Sequence, residues 1–158
     1  MVWPGFGAPE NRGPEKILFC LLIMENCIFC KIAKGEIPST KIYEDNDFFA
    51  FLDIKPVNLG HALLIPKTHV KNLYEFPEEL LSKIGPVIKK LAIAVKNGTS
   101  ADGINIGMNN DKAAGQLVFH AHFHIIPRFK DDGHVHWRGK EHPADEAKNL
   151  AQKIILAL

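Results

Sequence analysis

The chain has 158 residues, of which 46% are hydrophobic and 23% charged, enough apolar material for one core but not for two full domains. With 19 basic and 18 acidic residues the net charge is +1, which excludes the broad positive field that gathers nucleic acid or an anionic membrane, so neither is expected as a partner. The 3 cysteines are too few for a disulfide scaffold and point to a reduced, cytoplasmic protein.

Residues 1–23 are expected to form an N-terminal extension, loop or disordered, because "MVWPGFGAPENRGPEK" is rich in Gly and Pro and has no periodicity. The apolar "ILFCLLIM", Ile17 to Met24, falls far short of the roughly 20 residues a spanning helix needs. Arg12 and Lys16 ahead of it would suit an export signal, but no small-x-small cleavage site follows, and Met24 offers a second start. The extension is read as dispensable, with export as the alternative and Cys20 as an incidental thiol. Residues 24–158 form the expected single domain.

"CIFCKIAKG", Cys27 to Gly35, predicts a short helix or turn ended by glycine. Runs at 40–44 and 48–54, separated by Asp45-Asn46-Asp47, predict a β-hairpin. "GHALLIPK", 60–67, is apolar on both faces and predicts a central strand. From Pro77 to Asn97, Leu80, Leu81, Ile84, Val87, Ile88, Leu91 and Val95 recur at helical spacing, with Gly98 past the end and Gly85-Pro86 expected to kink or split the helix. Strands are predicted at 103–109 and 118–127, and a closing helix from about Ala144 to Ala157 with Leu150, Ala151, Ile154 and Ile155 on one face. These elements make an α+β domain with a mainly antiparallel five-stranded sheet, one long helix and a C-terminal helix.

The most informative stretch is "HAHFHIIPR", residues 120–128. On a strand, His120, His122 and His124 share one face at intervals of roughly 6.6 Å, while Ala121, Phe123 and Ile125 pack the other. A single such histidine is ordinarily a polar residue on a wet sheet face; three in register suggest either a metal chelate or a nucleophilic imidazole with helpers. No carboxylate falls between Gly115 and Arg128, and the preceding "NNDKAAGQ" suits contact with an anion. Both alternatives stay open on the residues alone. Cys27-x-x-Cys30 likewise supplies two zinc ligands of a possible four.

"GQLVFHAHFHIIPR" resembles the signature of the histidine triad family, and "CIFCKIAKGEIPS", "YEDNDFFAFLDIKPVNLGHALLIPKTH" and "GMNNDKAAGQ" are similar to that family's other blocks in the same order, from about Asn26 to Arg128. The resemblance implies a hydrolase or nucleotidyl transferase acting at the α-phosphate of a purine nucleotide, such as a dinucleoside polyphosphate or a nucleoside phosphoramidate. It implies His122 as nucleophile, with His124 and His61 on the phosphate and leaving-group side. Asn109 and Gln116 are implied near the phosphates, Asp53 at the ribose hydroxyls, and Ile54 and Phe29 at the base. The zinc-containing branch further implies a structural Zn2+ on Cys27, Cys30, His69 and His120, with no organic cofactor. It also implies a homodimer, which the apolar surplus of the 78–97 segment supports.

This sequence departs from the family pattern at Leu117, where efficient phosphoramidases of the family often carry Ser or Thr. His134, His136 and His142 are expected in exposed loop, and Trp137 in packing or a dimer interface. Two other readings compete: a non-catalytic nucleotide-binding or zinc-stabilised interaction module on the same fold, and a metal-dependent hydrolase ligating its metal through all three strand histidines.

Overall fold

The computed structural model describes residues 26–135, 137, 139–143 and 145–158. The extension 1–23 with Cys20, the run Ile17 to Met24, His136 and the expected helix start at Ala144 lie outside the described residues. The hairpin forms as its turn chemistry dictates. Strands β1 (Lys41–Glu44) and β2 (Phe48–Leu52) pair antiparallel, and Asp45 closes the turn by accepting the N–H groups of Asp47 (2.9 Å) and Phe48 (2.7 Å). β2 ends at Leu52, earlier than the predicted 54, because Asp53 turns the chain by accepting the Lys55 N–H at 2.8 Å.

A short helix α1 (Ile28–Ala33) precedes the hairpin. Strand β3 (Ala62–Pro66) follows it, then helix α2 (Glu78–Thr99), strands β4 (Gly103–Gly107) and β5 (Phe123–Arg128), and helix α3 (Glu146–Ala157). The strand order is β1-β2-β3-β5-β4, with every neighbouring pair antiparallel. The fold is the expected α+β arrangement.

Strand alternation sends side chains to two apolar layers. Phe48, Ala50, Ala62, Leu64, Ala121 and Ile125 meet Ile84, Val87, Leu91 and Val95 of α2, each large side chain contributing on the order of 2 kcal/mol by burial. Phe49, Phe51, Leu63 and Ile65 face the other way, against Phe29 and Ile32 of α1. β3 is therefore buried along its whole length, as its unbroken apolar sequence requires.

Further expectations change: β4 ends at Gly107, not 109. Helix α2 runs unbroken through Pro86, because Gly85 and Pro86 lie on its exposed face, where water can serve the carbonyl that proline leaves unbonded. The helix also passes Gly98 and stops at Ser100, whose φ of 56° makes it the left-handed cap. β5 begins at Phe123, not 118, since Ala121 N–H leaves the ladder for Val70 O at 2.6 Å. The predicted apolar face of α3 is present but uncovered: Ile154 is 62% and Ile155 59% exposed.

Gly60 shows how tightly the loop before β3 sits on α2. Its φ is +94°, and a Cβ there would collide with Thr99 Cγ2, whose Oγ1 is already fixed to Val95 O at 2.7 Å. Only glycine meets both demands.

Candidate active site

Two groups of side chains converge on the face of the sheet that carries α1. In the first, Cys27 caps α1 and Cys30 lies one turn in, while His69 comes from the loop after β3 and His120 from the segment entering β5. Cys27 Sγ lies 3.4 Å from His120 Nδ1, and Cys30 Sγ lies 3.3 Å from His69 Nδ1 and 3.5 Å from His120 Nδ1. His120 Nε2–H donates to Pro66 O at 2.9 Å, so Nδ1 carries the lone pair and faces two sulfurs at nearly equal distance. A tetrahedral ion with Zn–S of about 2.3 Å and Zn–N of about 2.0 Å sets S and N about 3.5 Å apart. All four donor atoms lie within 4.8 Å of one another. The donor set and the protonation pattern fit a closed Cys2His2 centre, with the Pro66 carbonyl orienting one ligand.

The second group contains the other two triad histidines. His122 Nδ1–H donates to the carbonyl of its neighbour-but-one, His120, at 2.7 Å. That carbonyl is available because residues 120–122 lie outside the β5 ladder. His122 Nε2 then holds a lone pair. Among the described residues Nε2 has no protein partner, and the residue is only 6% exposed. Phe29 of α1 lies edge-on to both His120 and His122, with centroids 5.9 and 5.2 Å away.

His124 and His61 form a pair. Val57 N–H donates to His61 Nδ1 at 3.2 Å, which leaves the His61 proton on Nε2, where it is donated to His124 Nδ1 at 3.0 Å. The His124 proton is consequently on Nε2, the nitrogen away from His61. Asp53 Oδ2 lies 3.6 Å from His61 Nδ1. Burial lowers the pKa of His61 and His122, and it takes His124 down to about 4 with help from neighbouring His122 and His61. All three imidazoles are thus neutral near pH 7. In the cysteine cluster, burial takes His120 down to about 4, and burial with the neighbouring Cys27 pushes the Cys30 thiol up to about 12; a bound cation opposes that thiol shift.

A cleft of about 480 Å³ brings His61, His124 and Asn109 together beside Ile106, Val135 and Trp137. Other predicted residues sit elsewhere. Ile54 is 94% exposed. Gln116 is buried with its amide spent within the chain: its oxygen accepts from Asp111 N–H at 2.8 Å, and its nitrogen donates to Lys71 O and Val118 O at 2.7 and 3.0 Å. The triad divides between the clusters. His120 joins the cysteines, His124 groups with His61 and Asp53, and His122 belongs to neither donor set, so the described geometry does not gather the three as ligands of one ion. Trp137 stands exposed at the cleft rim, as His134 and His142 stand exposed in the loop. The motif blocks contain Asn58 and Arg128 without giving either a role, and Asp132 carried no signal; the three bond to one another, with Arg128 lining the cleft.

The HIT domain model matches residues 34–131, well over half of the chain. The chain belongs to the HIT family. It is 46% identical over 134 residues to Protein hit of Bacillus subtilis, covering 82% of this chain and 92% of that one. It is 42% identical over 136 residues to an adenosine 5'-monophosphoramidase of Candida albicans, covering 82% and 89%. Among solved structures, a HIT family member from Bacillus subtilis superposes with a TM-score of 0.78 at 43% identity, covering 84% of this chain and 97% of that one. A Zn-bound histidine triad protein from Mycobacterium smegmatis gives 0.67 at 38%, covering 85% and 96%. Among the described residues, no helix of this HIT protein is long and apolar enough to cross a membrane.

The depressed histidines set a pH dependence. His124, facing His122, His61 and Asp53, titrates near about 4 in the folded state against about 6.5 unfolded. The unfolded chain takes up the proton first, so this stabilisation is complete above about pH 6.5 and is lost as pH falls towards 4. Urea midpoints should fall across that window, and less steeply in His124→Gln. Equal slopes in both proteins would contradict the assignment.

Proposed function

We propose that this HIT protein is a nucleotide hydrolase or nucleotidyl transferase that cleaves at the α-phosphate of a purine nucleotide through a nucleotidyl-histidine on His122. The observation that carries this is the 2.7 Å bond from His122 Nδ1 to His120 O, which leaves the lone pair of a neutral nucleophile on Nε2. In the first step Nε2 bonds to the α-phosphorus as the bond to the leaving group breaks. The His120 carbonyl stabilises the positive charge on the imidazole through the Nδ1 proton. His124 Nε2–H donates a hydrogen bond to the departing atom, strengthened by the bond its Nδ1 accepts from His61 Nε2–H, while the leaving group takes its proton from solvent, to which the attacking water later returns one. Water then attacks the phosphorus, releasing the nucleoside monophosphate and restoring the free imidazole. The phosphoramidase name of the Candida albicans relative supports the bond type. Asp53 is placed at the ribose hydroxyls and Asn109 at the phosphates, with Phe29 and Ile54 towards the base; Gln116 acts from behind, holding the loop before His120. Leu117, 89% exposed, offers no hydroxyl to the leaving group, which argues for slower phosphoramidate turnover.

Cys27, Cys30, His69 and His120 are assigned a structural Zn2+, supported by the donor geometry above and by the Zn-bound relative. A filled Cys2His2 site has no open position, so the ion contributes folding free energy and chemistry stays with the histidines. We also place the protein in the cytoplasm, where both thiols stay reduced, and propose a homodimer. β4 is an edge strand, and Ile106 on it and Ile93 on α2 are 47% and 52% exposed.

Replacing His122 by Ala should lower turnover of adenosine 5′-phosphoramidate and diadenosine polyphosphates by at least three orders of magnitude, the scale seen when a nucleophile is removed. Adenosine monophosphate should still bind by calorimetry. Near-normal turnover would end the nucleophile assignment. Cys30→Ala should carry less than stoichiometric zinc by elemental analysis and melt several degrees lower; full zinc content or an unchanged melting temperature would show that the cluster is wrongly assigned. Light scattering at micromolar concentration should give twice the chain mass, and a monomeric mass would count against the dimer.

A further inference from the structure

Behind the His61–His124 pair lies a carboxylate that the reaction scheme does not use. The Asp132 side chain is 7% exposed and accepts five hydrogen bonds: from Arg128 Nε and Nη2 at 2.6 and 2.8 Å, Asn58 Nδ2 at 2.9 Å, His134 N at 3.0 Å and Phe129 N at 3.1 Å. Its turn is tight, with φ of 63° at Asp131 and 77° at Gly133. Asn58 bridges this turn to the loop that carries Asp53 and His61. Its Nδ2 also donates to Pro127 O at 2.9 Å, a carbonyl beyond the end of the β3 ladder, and its own carbonyl accepts from His61 N–H at 3.0 Å. The adjacent Val57 is held at both ends, its carbonyl accepting from His134 Nε2 and its N–H donating to His61 Nδ1, each at 3.2 Å.

The last of these bonds decides a tautomer. Two groups compete for His61 Nδ1: the Val57 N–H, which requires a lone pair there, and the Asp53 carboxylate 3.6 Å away, which favours a proton there. While Val57 stays in place the proton is on Nε2, and it passes the same choice to His124. If Val57 moves away, Nδ1 takes the proton and turns it to Asp53. His61 Nε2 then becomes an acceptor, His124 must donate from Nδ1, and His124 Nε2 is left with no proton to give.

We infer that Asp132 is a positioning residue: by fixing Asn58, and through it Val57, it sets the tautomer of His61 and keeps a proton on His124 Nε2. The value of that proton rests on the proposed reaction, in which it donates a hydrogen bond to the leaving group; the tautomer itself does not. A carboxylate is needed because all five partners are donors. An amide in its place must turn an NH2 group towards at least one of them.

Full-length, 15N-labelled protein tests this by long-range 1H–15N correlation of the imidazoles, alongside kinetics with adenosine 5′-phosphoramidate. The parent should show His61 and His124 protonated at Nε2. Asp132→Asn, and independently Asn58→Ala, should move His61 towards the Nδ1-protonated form and lower kcat about tenfold or more, with KM changing less. If both variants keep the parental tautomer and kcat, the inference is overturned, and a lower melting temperature alone would leave Asp132 merely structural. Should the parent turn over no nucleotide, the proposed function fails, while the tautomer comparison still decides the role of Asp132.

Discussion

One hydrogen bond joins the two halves of the site. The carbonyl that receives the His122 Nδ1 proton belongs to His120, whose side chain faces the sulfurs of Cys27 and Cys30. A residue that anchors the donor cluster with its ring thereby orients the proposed nucleophile with its backbone. Phe29 ties the same parts together a second time, since it stands between the two cysteines in sequence and against both imidazoles in space. Holding the Cys2His2 cluster together and orienting the proposed nucleophile are the same structural act. A metal held beside the reacting groups need not take part in chemistry to matter for it.

Burial does the second part of the work. A net charge of +1 gives little long-range attraction for a nucleotide, so anion recognition must be local. Yet the interior of the site keeps its histidines neutral, their charged forms penalised by desolvation. Neutral imidazoles are useful here because each has one donor and one acceptor nitrogen, and hydrogen bonds to the backbone choose which is which. His120 is set by Pro66 O, His122 by His120 O, and His61 by Val57 N–H. Three main-chain groups thus assign the lone pair that faces sulfur, the lone pair of the proposed nucleophile and the proton that His61 donates to His124.

Much of this was legible in the sequence, for identifiable reasons. The hairpin, the buried strand β3 and the long helix follow from strong local signals: Asp45 turn chemistry, an unbroken apolar run and helical spacing. The alternation of 120–125 also holds, with Ala121 and Ile125 in the core under α2 and the histidines on the opposite face. Less legible was where hydrogen bonding would stop. Propensity marks 118–122 as strand, but a tertiary bond from Ala121 to Val70 removes it from the ladder and frees the His120 carbonyl. Pro86 misleads for a related reason, because a helix breaker is tolerated on a face that water reaches. Gln116 looks like a ligand-binding amide in a small polar loop; only the packing shows its three partners inside the chain. The Asn58–Asp132 link spans 74 positions, a separation no local pattern encodes.

The central claim is that His122 forms a covalent bond to the α-phosphorus, and intact-protein mass spectrometry tests it most directly. The full chain would be mixed briefly with an adenylated substrate and denatured without acid, because a phosphorus–imidazole bond is acid-labile. Peptide fragmentation would then locate any adduct. The account predicts a transient gain of one adenylyl group per chain, mapped to His122 and absent from His122→Ala. Substrate turnover with no adduct at any time point, or an adduct on another residue, would contradict it.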